Sequence, residues 1–184
     1  MKLLSINKLL DCKFLKMYEL DLRNNKNNPK KYFVASRRKE QELACKTKIH
    51  NKADGVMIVP VTEEDEFVIL KQFRPAINDY IYEFPAGLVD DGEEIIESAK
   101  RELFEETGLV AKSVEMILNP SYTSVGMSDE SVAVVKAIVS GKVTTENAED
   151  DEEIEVLKIK KSDAKEFVKN NNVSIKTALV ILNI

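Results

Sequence analysis

The chain has 184 residues, 43% of them hydrophobic, which suits one domain with a substantial core and leaves too little for two full domains. Its formal net charge of -5 speaks against a generic nucleic-acid binder, because a phosphate backbone demands a basic patch. The 2 cysteines, Cys12 and Cys45, share no CxxC or Cys/His spacing and so indicate neither a disulfide framework nor a zinc site, and the 1 histidine, His50, excludes catalysis by histidine pairs.

The first elements are two alternating stretches, Phe14 to Leu22 and Lys31 to Arg37, separated by the turn-rich Asn24-Asn25-Lys26-Asn27-Asn28-Pro29; this pattern predicts a β-hairpin. Within it Tyr18, Leu20 and Leu22 alternate with Glu19, Asp21 and Arg23, so one face of the ribbon is apolar and needs cover. His50 precedes the next strand and reads as an ordinary surface residue. Gly55 to Val61 and Phe67 to Leu70 are short apolar runs of buried-strand type. Between Asp90 and Gly108 the period turns helical, with Ile95, Ile96, Ala99 and Leu103 on one face, Asp90 and Glu93 spaced as a capping box, and Gly108 at a left-handed C-terminal cap. Strand patterns return at Val114 to Leu118, Val132 to Val139 and Ile154 to Ile159, and helical ones close the chain near Ala164 to Lys169 and Ile175 to Leu182. Strands on both sides of a central helix predict a mixed sheet between helices. No apolar run approaches the roughly 18 residues of a membrane-spanning helix. Met1 to Leu10 lacks a signal-peptide pattern, so the expected location is the cytoplasm, without membrane partners.

The chemistry concentrates between Gly87 and Leu109. On a helix Glu102 lies within one turn of both Glu105 and Glu106, which crowds three carboxylates onto one face. Each exposed like-charge pair costs about 0.2–0.5 kcal/mol, and the last turn of a helix is already negative. A solvated acidic face is the plain alternative. A cation removes both penalties, however, and all-oxygen ligands favour Mg²⁺, with Mn²⁺ the other candidate, over zinc. An acidic protein binds a small phosphate ester through such an ion. Gly87 lets backbone approach a ligand at the strand-to-helix turn, and Arg101 is one turn from Glu97 and from Glu105, either of which it could hold.

The pattern Gly87-x5-Glu93-x7-Arg101-Glu102-Leu103-x-Glu105-Glu106-x-Gly108-Leu109 resembles the Nudix box at every specified position. The resemblance implies an α+β fold, the Nudix α/β/α sandwich with a mixed β-sheet, here preceded by the N-terminal β-hairpin extension. It implies Glu102, Glu105 and Glu106 as metal ligands, with the backbone carbonyl of Ala86 as a further one, and Glu93 with Arg101 as a buttress of loop and helix. The flanking Lys71-Gln72-Phe73-Arg74-Pro75 and Tyr82-Glu83-Phe84-Pro85-Ala86-Gly87 resemble the ADP-ribose and nucleotide-sugar pyrophosphatase branch, over roughly Tyr32 to Val156. That branch implies a small-molecule nucleoside diphosphate substrate, with Arg74 on the diphosphate and Glu83 lining the pocket. It also implies an aromatic residue, Tyr32 or Phe33, on the adenine. The loop Ser121 to Glu130, with Gly126, resembles the branch's substrate loop, although Val125 stands where the ADP-ribose subgroup often has proline. In the acidic run Glu149 to Glu155, Glu152 aligns best with the loop glutamate that handles the attacking water, with Glu153 the alternative and a solvated loop the plain reading. The expected reaction is hydrolysis of ADP-ribose to AMP and ribose 5-phosphate. Its rivals are another nucleoside diphosphate derivative as substrate and a non-catalytic ligand sensor of the same fold. The expected organisation is a dimerising extension over residues 1–45 and a hydrolase domain over 46–184, assembled as a homodimer.

Overall fold

The computed structural model describes residues 1–148 and 152–183. Their contacts group into two units, Met1–Asp54 with Pro120–Val132, and Gly55–Asn119 with Ala133–Ile184.

The N-terminal unit carries an antiparallel sheet ordered β1 (Lys2–Asp11), β2 (Lys16–Arg23), β3 (Pro29–Ser36). The predicted hairpin is β2 and β3, and its turn is built by the Asn24 side chain, which accepts from the amides of Lys26 and Asn28, each at 2.9 Å. β1 is a strand that alternation misses. Its register against β2 shifts between Leu3 and Ser5 and again between Lys8 and Leu10, and each shift breaks the period-2 pattern of the sequence. The apolar face of β2 is covered inside this unit. Tyr18, Leu20 and Val34 form a buried cluster with Leu43, flanked by Leu3, Ile6 and Cys45. The face that reads as needing a partner therefore has one within the chain. Beyond β3, a helical turn at Glu40–Glu42 leads into the one-turn helix α1 (Ala44–Thr47). The unit is tied together by Arg38, nearly fully buried, whose guanidinium grips Asp54 through Nε at 2.9 Å and Nη2 at 2.7 Å. Asp54 also accepts from the Ser131 amide at 2.8 Å.

The larger unit is organised on a sheet ordered β10 (Ile154–Lys160), β5 (Glu66–Arg74), β4 (Gly55–Thr62), β9 (Ser131–Ser140), β8 (Val110–Tyr122), with β6 (Asp79–Glu83) beside β5 and β7 (Ala86–Leu88) beside β4. All eight residues of β4 are buried, as expected of a central strand covered on both faces. Val56 and Ile58 point to one face and join Ala99 and Leu103 of helix α2 (Ile95–Thr107) in the main core. Met57, Val59 and Val61 alternate to the other face. Helix α3 (Lys161–Asn170) packs on β10 and β5, and α4 (Ile175–Asn183) packs on β6 and α3. The result is the α+β sandwich that the sequence predicts. One local expectation changes. Asp90 and Glu93 do make half of the expected capping contact, the Asp90 amide donating to Glu93 at 3.3 Å, but α2 starts only at Ile95 after Glu94. The pair closes the loop ahead of the helix because Glu93 is engaged by Arg101 instead of capping the first turn. At the other end Gly108, with φ of 70°, is the left-handed cap the sequence predicts.

Candidate active site

Pairing of β7 with β4 places Gly87 opposite Val56, and α2 returns across these two strands. The helix thus lays its acidic last turns over the glycine. A Cβ on Gly87 would lie 1.9 Å from Cδ of Glu102, so glycine is required for the carboxylate to rest against the strand. Glu106 is 2% exposed and accepts a hydrogen bond from the Ala86 amide at 3.0 Å. Glu105, one turn before the cap, is more open.

Arg101 organises this cluster. Its guanidinium forks onto Glu93, Nε to Oε1 at 3.1 Å and Nη2 to Oε2 at 3.0 Å. Nη2 also donates to the Leu88 carbonyl at 3.0 Å, and Nη1 donates to Glu102 at 2.8 Å and Glu105 at 3.1 Å. Every N–H of the fork has an acceptor, which a lysine could not supply. Of the two partners open to Arg101 on helical spacing, Glu105 is used and Glu97 pairs with Lys100. The Ser98 hydroxyl adds a further bond to Glu93. Together, Arg101 first and Ser98 second, these hold the Glu93 carboxyl down at a pKa of about 2.

The other carboxylates shift the opposite way. Burial raises Glu102, opposed by Arg101 and reinforced by the charges of Glu105 and Glu152. Burial raises Glu106 well above the usual carboxylate range, and the charges of Glu152 and Glu102 push it further. Glu152 thus acts electrostatically on both Glu102 and Glu106. Its neighbour Glu153 does not share that place: it accepts from the Tyr80 hydroxyl, while its backbone carbonyl accepts from the Phe73 amide at 3.1 Å. Glu149, Asp150 and Asp151 of the same acidic run lie outside the described residues. On the neighbouring strands Arg74 Nε donates to Glu83 at 2.6 Å across the β5–β6 ladder, and the Arg74 charge is felt at Glu106. The structure thereby brings Ala86, Arg101, Glu102, Glu105 and Glu106 together beside Gly87, with the charge of Glu152 acting on Glu102 and Glu106 and with Arg74 and Glu83 paired.

Among the described residues no three His, Cys, Asp or Glu side chains are closed into an ion-enclosing cage. Arg101 Nη1 is bonded to both Glu102 and Glu105. The donor chemistry nevertheless fits a hard divalent cation: oxygen donors only, and carboxylates whose charges raise one another.

The remaining sequence-predicted residues belong to the N-terminal unit. There the Tyr32 hydroxyl donates to the Gly126 carbonyl, joining the predicted aromatic to the predicted substrate loop. Phe33 points out, half exposed. His50 Nδ1 lies 2.5 Å from the Tyr122 hydroxyl, at the surface. A cavity of about 260 Å³ is lined by Leu20, Tyr32, His50, Tyr122, Val125 and Asp129, among others. Arg38 and Asp54, which grip each other across 16 residues, and Tyr80 carry no pattern in the sequence that would single them out.

The chain belongs to the NUDIX family: the profile of the NUDIX domain matches residues 51–176. It stands in the ADP-ribose and nucleotide-sugar pyrophosphatase branch of that family. An ADP-ribose pyrophosphatase of Bacillus subtilis (strain 168) is 37% identical over 140 residues, covering 75% of each chain. An ADP-ribose pyrophosphatase of Saccharomyces cerevisiae is 28% identical over 158 residues, covering 81% of this chain and 65% of that one. The crystal structure of an ADP compounds hydrolase superposes with a TM-score of 0.79 at 18% identity, covering 98% of this chain and 91% of that one, which shows the shared fold.

Proposed function

We propose that this chain hydrolyses the diphosphate of ADP-ribose, adding one water to give AMP and ribose 5-phosphate. The observation that carries the reading is the geometry of the box residues: Glu102 rests against Gly87, Glu106 accepts from the Ala86 amide, and Arg101 ties Glu93 to Glu102 and Glu105. The names of the B. subtilis and yeast relatives supply the substrate.

In this reading Glu102, Glu105, Glu106 and the Ala86 carbonyl hold divalent metal, Mg²⁺ by preference and Mn²⁺ as the other candidate. Such an ion, when bound, offsets phosphate charge and lowers the pKa of a water. Arg101, fixed by Glu93, sets the directions in which Glu102 and Glu105 point. Arg74 presents its remaining donors to the diphosphate, oriented by Glu83, and a guanidinium suits that task because its planar fork matches phosphate oxygens. Glu152 orients the attacking water or takes its proton. Tyr32 and Gly126 contact the adenosine end. The division into an extension of residues 1–45 and a hydrolase domain of 46–184 belongs to the same reading, as does a cytoplasmic homodimer. The Tyr18–Leu20 face of the hairpin, which the expected dimer would bury against a second subunit, is covered within this chain.

A second reading keeps the chemistry and changes the substrate to another nucleoside diphosphate derivative. Val125, in place of the proline frequent in the ADP-ribose subgroup, favours it. Purified protein with Mg²⁺, given ADP-ribose, nucleotide sugars and dinucleoside polyphosphates in parallel, separates the two. Preferred turnover of ADP-ribose is expected, and absence of turnover on the whole panel would overturn the proposal.

A further inference from the structure

Beside the box cluster lies a second constellation that the proposed chemistry does not use. Strand β5 is flanked at its C-terminal end by β6 on one edge, where Tyr80 pairs with Phe73, and by the start of β10 on the other, where Ile154 pairs with Gln72. The Tyr80 side chain crosses β5 to reach the carboxylate of Glu153. It is braced along the way: the Phe73 ring meets its own edge to face, with centroids 5.5 Å apart, and Lys71 Nζ stands 5.0 Å from its centroid. Lys71 in turn pairs with Glu155 at 3.3 Å. The Tyr80 backbone is held as well, its carbonyl accepting from the Asn172 side chain at 3.4 Å.

Glu153 is therefore pinned twice, by its side chain to Tyr80 and by its carbonyl to the Phe73 amide at 3.1 Å. Consecutive residues of an extended chain point to opposite faces. Fixing the Glu153 side chain over the Lys71–Phe73–Tyr80 face sends Glu152 the other way, which agrees with its charge falling on Glu102 and Glu106.

We infer that Tyr80 is a positioning residue: its clasp on Glu153 sets the direction of Glu152. The inference rests on the reading above that Glu152 handles the attacking water. A hydrogen bond of this exposed kind contributes on the order of 1 kcal/mol net, so its loss should lower the equilibrium constant between placed and misplaced Glu152 by about fivefold, and the placed share by at most that factor. The clasp acts on the reacting water through Glu152 alone and leaves the diphosphate contacts intact.

The test uses the full chain, ADP-ribose and saturating Mg²⁺, with Tyr80→Phe, Glu153→Ala, Glu153→Gln and Glu152→Gln, and with Tyr80→Phe placed in the Glu152→Gln background. Tyr80→Phe and Glu153→Ala should each lower kcat by about two- to fivefold with KM nearly unchanged and the thermal midpoint lowered by no more than about 4 °C. Glu153→Gln, which keeps an acceptor for the phenol, should recover most of the activity. Once Glu152 is neutralised, Tyr80→Phe should have no further effect, because it has nothing left to position. Hydrogen exchange of the Ile154 segment should quicken in Tyr80→Phe, independently of turnover. A Tyr80→Phe enzyme with wild-type kcat, beside a crippled Glu152→Gln, overturns the clasp and leaves the reading of Glu152 standing. A silent Glu152→Gln removes that reading and the clasp with it. An undiminished penalty from Tyr80→Phe in the Glu152→Gln background, or a fall in kcat accompanied by a midpoint lowered by more than about 8 °C, assigns Tyr80 to general stability and likewise overturns the inference.

Discussion

Replacing Gly87 by alanine isolates the geometric requirement at the centre of the site. The new methyl would lie 1.9 Å from Cδ of Glu102 and 2.1 Å from each of its carboxylate oxygens, whereas ordinary contact begins near 3.4 Å, so the carboxylate must retreat by about 1.5 Å. The atoms displaced are the far end of a flexible side chain, and the Gly87 backbone is not in the left-handed region, so the fold accommodates the change. Alanine also narrows the unfolded ensemble, worth about 0.4–1 kcal/mol, which offsets the lost 2.8 Å bond from Arg101 to Glu102. Catalysis has no such tolerance: a displacement of about 1 Å in a catalytic group costs on the order of 100-fold, or roughly 2.7 kcal/mol of barrier. Thermal unfolding and the rate of AMP release from ADP-ribose, measured on the same preparation, separate the two effects. The expected result is a midpoint within a few degrees of wild type and a kcat reduced by about two orders of magnitude. A Gly87→Ala enzyme with unreduced kcat would refute the claim that Glu102 works from its place against the strand.

Glu106→Gln should leave the fold intact and lower kcat by on the order of 10² or more, since it removes a charged donor that matters most in the transition state; near-normal turnover at saturating Mg²⁺ counts against its role. Arg38→Ala should destabilise the protein by about 3–5 kcal/mol in denaturant unfolding, because Asp54, whose side chain is 5% exposed, would be left charged and unpaired; a loss under about 1 kcal/mol contradicts this account of the N-terminal unit. Glu93→Gln tests linkage. The Glu93 carboxyl is depressed to about 2 by Arg101, so its contribution to stability is fully present above its ordinary value of 4.5 and fades as pH falls towards 2. Unfolding curves of wild type and Glu93→Gln should differ near neutrality and converge in acid, and a gap that widens on acidification would show the sign to be wrong.

Much of this architecture is legible in the sequence, for identifiable reasons. β4 and β5 read as strands because they are continuous apolar runs. α2 reads as a helix because Ile95, Ile96, Ala99 and Leu103 recur on one face and Gly108 closes it. The acidic cluster was legible because its members lie within one helical turn, a spacing that sequence fixes directly. What escaped depends on contacts between distant residues. Two bulges hide β1 from a period-2 reading. The brevity of β7 hides it too: it is three residues long and is a strand only because β4 lies beside it. The buried fork of Arg38 joins partners 16 and 93 residues away, and the Tyr80–Glu153 clasp spans 73. The alternation of the hairpin does show that its apolar face needs cover. Alternation alone, though, does not say that Leu43, Leu3 and Ile6 of the same chain provide it.

The central claim, cleavage of the ADP-ribose diphosphate by the Glu102–Glu105–Glu106 cluster with Glu152, is tested most directly by product analysis. Purified wild-type protein and Glu106→Gln are incubated side by side with ADP-ribose and Mg²⁺, and the products are resolved by chromatography. The account predicts AMP and ribose 5-phosphate in equal amounts from the wild type and on the order of 100-fold less of both from the variant. Intact ADP-ribose after incubation with the wild type, or equal yields from the two proteins, would contradict it.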